Sequence, residues 1–405
     1  MKILVLNSGS SSQKSFLYEL GAFLPESRQA PLWEGKIEWH GDRASLRVWN
    51  STEVIHEEKL PLESRAKATE QLLGLLTGGD TKALTNKSEI AAVGHRIVNG
   101  GRDYTEPTVI TPEVNAAIRR ASFFAPLHNR VELEGIDLIE KLFGDIPQVA
   151  VFDTAFHSQL PDAAAVYAGP YEWLQQGIRR FGFHGINHEY CAKRAAQMLG
   201  KDLVTLKLVT CHLGNGCSLA AIQNGKSIDT TMGFTPLEGL MMGTRSGSVD
   251  PGILTYLMRE QKVDGQQLDD LLNKKSGLLG ISGISGDMRE IVSEIKRGTG
   301  RAKLAFDIFV HRLQAGIGSM AAALGGIDAL VFTAGIGENS SEVREAACAN
   351  LGFLGIQLDS AKNAGCRPDQ DISPGNARAK TLVIQAQEDW AIACQSWKLL
   401  VGQIR

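Results

Sequence analysis

Two short stretches 205 positions apart share one plan, and that repetition constrains the chain more than any other feature. The first, Lys2–Lys14, reads KILVLNSGSSSQK. Four apolar or β-branched residues, Ile3–Leu6, make a short buried strand; Asn7, Ser8, Gly9, Ser10, Ser11 and Ser12 make a polar turn of small residues; Lys14 follows. The second, Leu208–Ile222, reads LVTCHLGNGCSLAAI, with a strand, His212, the turn Gly214, Asn215 and Gly216, a small Ser and another strand. Gly9 and Gly214 align at an offset of about half the 405 residues, and self-similarity at that period implies duplicated lobes. Small residues admit a close-lying ligand, and successive N–H groups and hydroxyls can donate to phosphate oxygens. Lys14 adds a positive point charge. Two such loops facing each other across a cleft would clamp a polyphosphate. Ordinary hairpins in two unrelated domains use the same turn residues, so the segments alone leave both readings open.

Length and charge narrow the classes. A 405-residue chain has room for two or three domains, each with its own core. A net charge of −3 argues against a nucleic-acid or anionic-membrane partner held by bulk electrostatics. The longest apolar candidate for a span, Ser319–Ile336, is broken by Gly325, Gly326 and Asp328, and Lys2 opens a strand rather than a signal peptide. The six cysteines are scattered without a CxxC, which fits small buried hydrophobes in a reducing, cytoplasmic compartment.

Strand and helix patterns alternate along the chain, so the class is α/β. Trp33–His40 and Ser45–Trp49 read as antiparallel strands, with the region around 20–50 a peripheral extension. Ile90–Val98 is a strand carrying His95 and Arg96; Thr111-Pro112 opens a helix; Ala125–Asn129 is a loop, followed by a helix over Val131–Phe143. Gln148–Phe152 is a buried strand ending at Asp153, and the carboxyl ends of parallel strands are where α/β sheets place functional groups. Met242–Gly247 sets Arg245 in a glycine-flanked loop, and Ser282–Arg289 is a second polar glycine loop. Ala302–Leu324 is a helix apolar on most faces, suited to full burial or a subunit interface. Thr333–Gly337 (TAGIG) reads as a phosphate- or ribose-holding loop or a plain βα turn, with Asn339 and Glu342 a capping box for the next helix. Glu388 or Asp389 could hold Mg²⁺, or could simply be acidic residues at a helix start.

Other motifs fall short. His184 and His188 stand at i, i+4, but Gly185 occupies the position where a zincin has Glu. His184 is then better read as an anion donor or a structural histidine. Asn224-Gly225-Lys226-Ser227 lacks the first glycine of a P-loop, because position 220 is Ala, and no intact GxGxxG exists.

Nine segments in this order resemble the acetokinase family of the acetate and sugar kinase/heat-shock-ATPase/actin superfamily. They are LNSGSSSQK (6–14), VGHRIVNGG (93–101), APLHN (125–129), VFDTAFH (151–157), RFGFHG (180–185), HLGNGCS (212–218), MGTRSG (242–247), SGDMR (285–289) and FTAGIGEN (332–339). The resemblance implies two lobes with duplicated ribonuclease-H-like βββαβαβα cores around a nucleotide cleft. The lobes would be residues 1–152 with 386–405, and 153–385. It implies reversible transfer of the ATP γ-phosphoryl to acetate, giving acetyl phosphate and ADP, with Mg²⁺ or alternatively Mn²⁺, in a cytoplasmic homodimer whose interface lies in the C-terminal lobe.

Carried over by position, the catalytic residues would be Asp153, Arg96, His184 and Arg245. Asn7 and Glu388 would hold the metal. Ser10, Ser12 and Lys14 would form the first phosphate loop, and His212, Leu213, Gly214, Asn215 and Gly216 the second. Arg96 with Val98, Leu127, Phe183 and Pro236 would take the substrate carboxylate and methyl. Asp287, Met288, Arg289, Gly335, Ile336, Gly337 and Asn339 would surround the adenosine. The chain departs from the family pattern at Asn99, where His is usual, at Gln13, and at Ala386–Asp389. A propionate kinase and a non-catalytic ATP-binding switch of the same superfamily are the competing functions. One methylene in an apolar pocket discriminates by only ~1–3 kcal/mol.

Overall fold

The computed structural model describes residues 1–9, 12–25, 27–50, 53–61, 63–121 and 126–404. It divides into two compact units, Met1–Ala155 with Gln387–Arg405, and Phe156–Ala386, so Arg96, Asp153 and Glu388 share a unit.

The first unit is built on β1 (Lys2–Ser8), β2 (Ser12–Glu19), β3 (Trp33–His40), β4 (Arg43–Asn50), β5 (Glu53–Pro61), β6 (Ile90–Ile97), β7 (Thr108–Val109) and β8 (Gln148–Phe152). They form one sheet in the order β5-β4-β3-β2-β1-β6-β8-β7. The second unit holds β9 (Lys207–Leu213), β10 (Cys217–Gln223), β11 (Lys226–Thr230), β12 (Ala329–Thr333), β13 (Gln370–Asp371) and β14 (Lys380–Val383), ordered β11-β10-β9-β12-β14-β13. The run β3-β2-β1-β6-β8 therefore repeats as β11-β10-β9-β12-β14. In each run the first three strands are antiparallel and the last two join in parallel. The duplication inferred from two loops is a duplication of sheet topology.

The central strands are apolar along their length because both faces are covered. Ile3–Leu6, Val149–Phe152 and Ala329–Phe332 are all buried. The outer strands β3 to β5 alternate, and their inward residues Trp33, Ile37, Leu46 and Val48 pack with Leu72 and Leu73 of the helix Arg65–Gly74. The expected peripheral extension is thus part of the main sheet. Its last strand, EVIHEEKLP, went unread because a charged edge strand carries little apolar signal.

Other expectations shift by local chemistry. Pairing of Asn7 with Lys14 and Ser8 with Gln13 continues the β1–β2 hairpin, so Asn7 and Ser8 lie on strand, not turn. The helix expected over Val131–Phe143 begins at Pro126, inside the segment read as a loop. TAGIG is not a loop: Ala334–Asn339 is a short helix directly after β12, entered through Ala334 at φ 65°. The following helix, Ser341–Cys348, is capped by Ser340, whose hydroxyl accepts from Val343 N–H at 3.3 Å, not by Asn339. Glu342 instead accepts from the Ser341 hydroxyl at 3.3 Å. The helix Gly300–Leu324 buries nine residues inside the unit and leaves Leu304 exposed; Ile253, Tyr256 and Met258 of the helix Pro251–Glu260 are also exposed. All six cysteines are free. Among the described residues no helix is long and apolar enough to cross a membrane.

Candidate functional site

In the first unit, the end of β6 and the residue after β8 bring Arg96 and Asp153 together as an ion pair, with side chains 11% and 1% exposed. Parallel pairing of Arg96 with Val151 sets this register. Burial works against the Arg96 charge, but Asp153, Glu388 and Glu132 outweigh it and hold the guanidinium above its ordinary value. Glu388 opens the helix Glu388–Ile404 and accepts from Asn7 Nδ2 at 3.0 Å, so the two residues assigned to the metal touch. Asp389, the other carboxylate considered for Mg²⁺, is buried and accepts from the Tyr18 hydroxyl, which removes it from that role. Lys14 lies opposite Asn7 on β2, and the Ser12 carbonyl closes the turn by accepting from Gly9 N–H at 2.8 Å. Val98 is buried; Ser10 and the side chain of Leu127 lie outside the described residues.

Glu132 is a site residue that sequence reading missed. It is buried and accepts from Val98 N–H at 3.0 Å. Burial pushes its carboxyl up to about 8, against the opposing pull of Arg96 and the Val98 N–H. Asn99, at the usual histidine position, is fully buried; its Oδ1 accepts from Gly101 N–H at 2.8 Å and its carbonyl from Asn129 Nδ2 at 3.1 Å. Gln13 is buried, its carbonyl oxygen accepting from Thr69 at 3.0 Å.

In the second unit, His184, His212 and Arg245 meet at the glycine turn. His184 caps the helix Gly185–Leu199 in a left-handed conformation, φ 58°, unusual outside glycine. Its ring stacks on His212 at 3.9 Å with 10° between planes. A methyl placed on Gly216 would sit 3.3 Å from His184 Nε2 and 3.4 Å from Arg245 Nη2. Imidazole, guanidinium and the glycine turn therefore converge. Arg245 is braced by donating to the Pro236 carbonyl at 2.7 Å, and Phe183 is buried, its carbonyl facing His157 Nε2 at 3.1 Å. His188 is no metal partner for His184. Its two ring nitrogens are taken by Thr210 at 2.7 Å and Ser218 at 2.8 Å, and burial holds it well below its ordinary pKa.

Beside this turn lies a cavity of about 810 Å³. Gly214, Asn215, Asp287, Met288, Arg289, Gly335, Ile336 and Asn339 line it, as do Val292, Ser340 and Glu342, which were not anticipated. Leu213 and Gly337 are buried beside it and are not part of the lining. Asp287 caps the helix Met288–Lys296. Gly243 is required here: a Cβ would lie 2.4 Å from Asn215 Oδ1 and 3.0 Å from the Gly286 carbonyl, so the loops at 215, 243 and 286 meet only without one. Arg344, also missed, is buried behind this wall, donating to the carbonyls of Gly337 at 2.9 Å and Glu338 at 2.8 Å.

The model of the acetokinase family matches residues 2–394. The chain belongs to the acetokinase family. It is 57% identical over 404 residues to a protein named acetate kinase from Nostoc punctiforme, covering 99% of this chain and 100% of that one. Among solved structures it is similar to Porphyromonas gingivalis acetate kinase, with a TM-score of 0.89 and 41% identity over 98% of this chain and 99% of that one. It is also similar to a propionate kinase from Francisella tularensis, with a TM-score of 0.88 and 37% identity over 97% and 98%. These acetokinase relatives share the two-lobed α/β fold across the whole chain.

Proposed function

We propose that this acetokinase transfers the γ-phosphoryl group of ATP to acetate, reversibly, giving acetyl phosphate and ADP. The observation that carries this reading is the family match across residues 2–394, joined to near-complete coverage of acetate kinases at 57–58% identity. The matched propionate kinase is more distant, so acetate is the preferred acceptor.

The chemistry suits the residues present. A carboxylic acid of pKa about 4–5 is already ionised at pH 7, so the nucleophile needs no general base. The reaction needs two anions brought into line with their repulsion suppressed. Arg96 and Arg245 would hold the carboxylate and the transferring phosphoryl, with His184 donating from its imidazole. Asp153 orients Arg96 and takes no proton. Val98, Leu127, Phe183 and Pro236 would receive the methyl. Ser10, Ser12 and Lys14, with His212 and the turn Leu213–Gly216, would hold the phosphates, and the cavity between Asp287–Arg289 and Gly335–Asn339 fits a nucleoside.

The residues fit Mg²⁺. Glu388 and Asn7 offer hard oxygens 381 positions apart in sequence yet in hydrogen-bond contact, beside the Arg96–Asp153 pair. Bound there with substrate phosphates, a divalent ion would neutralise charge on the transferring group. Ile253, Tyr256 and Met258, about half exposed, support a homodimer through the second unit, with a cytoplasmic location.

The test is ADP release with acetate, propionate and butyrate in turn, trapping acyl phosphate with hydroxylamine. Acyl phosphate greatest with acetate supports the reading. ADP release indifferent to carboxylate would replace it with the ATPase-switch reading.

A further inference from the structure

Behind His184, away from the glycine turn, runs a line of buried polar groups to which the proposed chemistry assigns nothing. His184 Nδ1 lies 2.8 Å from Ser218 Oγ; Ser218 Oγ lies 2.8 Å from His188 Nε2; His188 Nδ1 lies 2.7 Å from Thr210 Oγ1. Ser218, His188 and Thr210 are fully buried. We infer that Ser218 and His188 are positioning residues that hold His184 in the tautomer carrying its proton on Nε2, the nitrogen facing the glycine turn and Arg245. The inference rests on the reading of His184 as the donor to the phosphoryl group.

A neutral imidazole has one N–H and one lone pair, and a hydroxyl has one proton to give. Because a hydroxyl can also accept twice, four groups joined by three hydrogen bonds can be ordered in three ways while every bond is kept. In one, Thr210 donates to His188 Nδ1, His188 Nε2–H donates to Ser218, and Ser218 donates to His184 Nδ1. His184 then keeps its proton on Nε2. In the other two, either every bond reverses or Ser218 accepts from both rings, and His184 turns a lone pair toward the turn. An anionic oxygen at the turn repels that lone pair and accepts from an N–H, so a bound phosphoryl group selects the first order.

Two further observations favour the neutral, Nε2-protonated form. The stacked neighbour, His212, receives at Nδ1 from Asn187 Nδ2 at 2.9 Å; an amide nitrogen can only donate, so His212 also carries its proton on Nε2. Two imidazolium rings 3.9 Å apart beside Arg245 would repel, which disfavours adding a proton to His184. Burial keeps His188 neutral, so the line stays at one proton per ring. Strand register makes the arrangement: Ser218 faces His212 across β9–β10, Thr210 lies two residues before His212, and His188 is one helical turn after His184.

The test uses the full chain with ¹⁵N-labelled histidine, with MgADP and inorganic phosphate bound. The ¹⁵N shifts and long-range couplings report which ring nitrogen is protonated, and loss of the signal in His184→Ala assigns it. We expect the Nε2–H tautomer in the native protein and a mixture in Ser218→Ala. Loss of a tautomer-fixing partner costs ~10⁴ in a serine-protease triad, and for a neutral hydroxyl we expect roughly 10–100-fold in kcat. KM for ATP and acetate should stay within about threefold, because the relay touches neither substrate. Ser218→Thr, which keeps the hydroxyl, should restore both tautomer and kcat. Should Ser218→Ala fail to fold, Thr210→Val removes the donor at the far end with its shape kept, and should move the same signal. An Nδ1–H tautomer in the native protein, or unchanged tautomer and kcat in Ser218→Ala, overturns the relay. Near-normal turnover of His184→Ala is a different failure: it overturns the role of His184 itself.

Discussion

The two units share one strand order and surround their arginines in opposite ways. The first sets a buried arginine against the carboxylates of Asp153 and Glu388, with Glu132 beside them raised by burial to about 8. The second lines its glycine turn with stacked imidazoles, hydroxyls and an arginine braced by a backbone carbonyl. Duplication supplied the hairpin, Asn7 opposite Lys14 in one copy and His212 opposite Ser218 in the other, but not its chemistry. A fold places groups; what those groups do depends on how each is desolvated and paired.

Removing the arginines should separate the two designs most widely. Arg96→Ala and Arg245→Ala are each expected to cut kcat by ~10³–10⁵, by analogy with arginines that stabilise phosphoryl transfer. Their effects on stability should differ. Arg96→Ala strips a buried carboxylate of its guanidinium, which costs ~3–5 kcal/mol. Arg245→Ala removes a donor to the Pro236 carbonyl and should cost about 1 kcal/mol. Turnover assays with urea unfolding check both halves; equal destabilisation by the two would erase the distinction between the units.

That contrast was only partly legible in the sequence. The two hairpins could be read because buried central strands are continuous apolar runs and turns need small residues, both local signals. Arg96, Asp153, Arg245 and His184 stood out through the resemblance, and the structure pairs the first two directly. Glu132 was invisible: in the run Arg130-Val131-Glu132-Leu133-Glu134 it looks like any solvent-facing helix residue, and its partner Val98 is 34 positions away. Arg344 was hidden for the same reason, since the carbonyls it holds are exposed by how a short helix ends rather than by side-chain identity. Glycine-rich TAGIG reads as a loop because propensity disfavours helix there, and tertiary packing overrides it.

The metal assignment gives the next largest effect, and it belongs to the first unit alone. Glu388→Gln keeps the hydrogen-bond acceptor for Asn7 but removes the charge. The Mg²⁺ concentration for half-maximal activity should rise roughly 10–100-fold, and Mn²⁺ binding followed by electron paramagnetic resonance should weaken in parallel. Unchanged Mn²⁺ affinity would remove Glu388 from the metal site.

Titration should distinguish the units through stability. His157 and His188 in the second unit and His95 in the first are buried neutral, with His95 and His157 at about 4. A histidine depressed on folding stabilises above its unfolded value near 6.5, and that contribution is lost as pH falls toward 4. Glu132 runs the other way: raised to about 8, it stabilises below its unfolded value near 4.5 and loses that contribution as pH rises through 8. The first unit should therefore lose the Glu132 contribution as pH rises from about 5 to 8 and the His95 contribution as pH falls toward 4, and the second should weaken mainly on the acid side. Glu132→Gln should flatten the decline in Tm between pH 5 and pH 8 and leave the acid limb in place. A wild-type alkaline slope surviving in that variant would show that Glu132 is not its source.

The smallest expected difference compares two tyrosine–carboxylate pairs. Tyr18 donates to Asp389 in the first unit, and Tyr167 donates to Glu238 in the second. Asp389 is buried and burial raises its pKa, so the Tyr18 hydroxyl is among the few groups favouring its charged form. Glu238 is one-third exposed and keeps Arg180 Nη2 at 2.8 Å as a second partner. Tyr18→Phe should therefore cost ~2 kcal/mol, the penalty of a buried acceptor losing its donor. Tyr167→Phe leaves Glu238 paired and costs about 1 kcal/mol, mostly because the Phe234 N–H loses the hydroxyl it donates to at 2.7 Å. Denaturant midpoints at constant m-value measure both. A larger loss from Tyr167→Phe would mean that the backbone donor, not the buried carboxylate, sets the cost, and that charge burial is not what separates the two units.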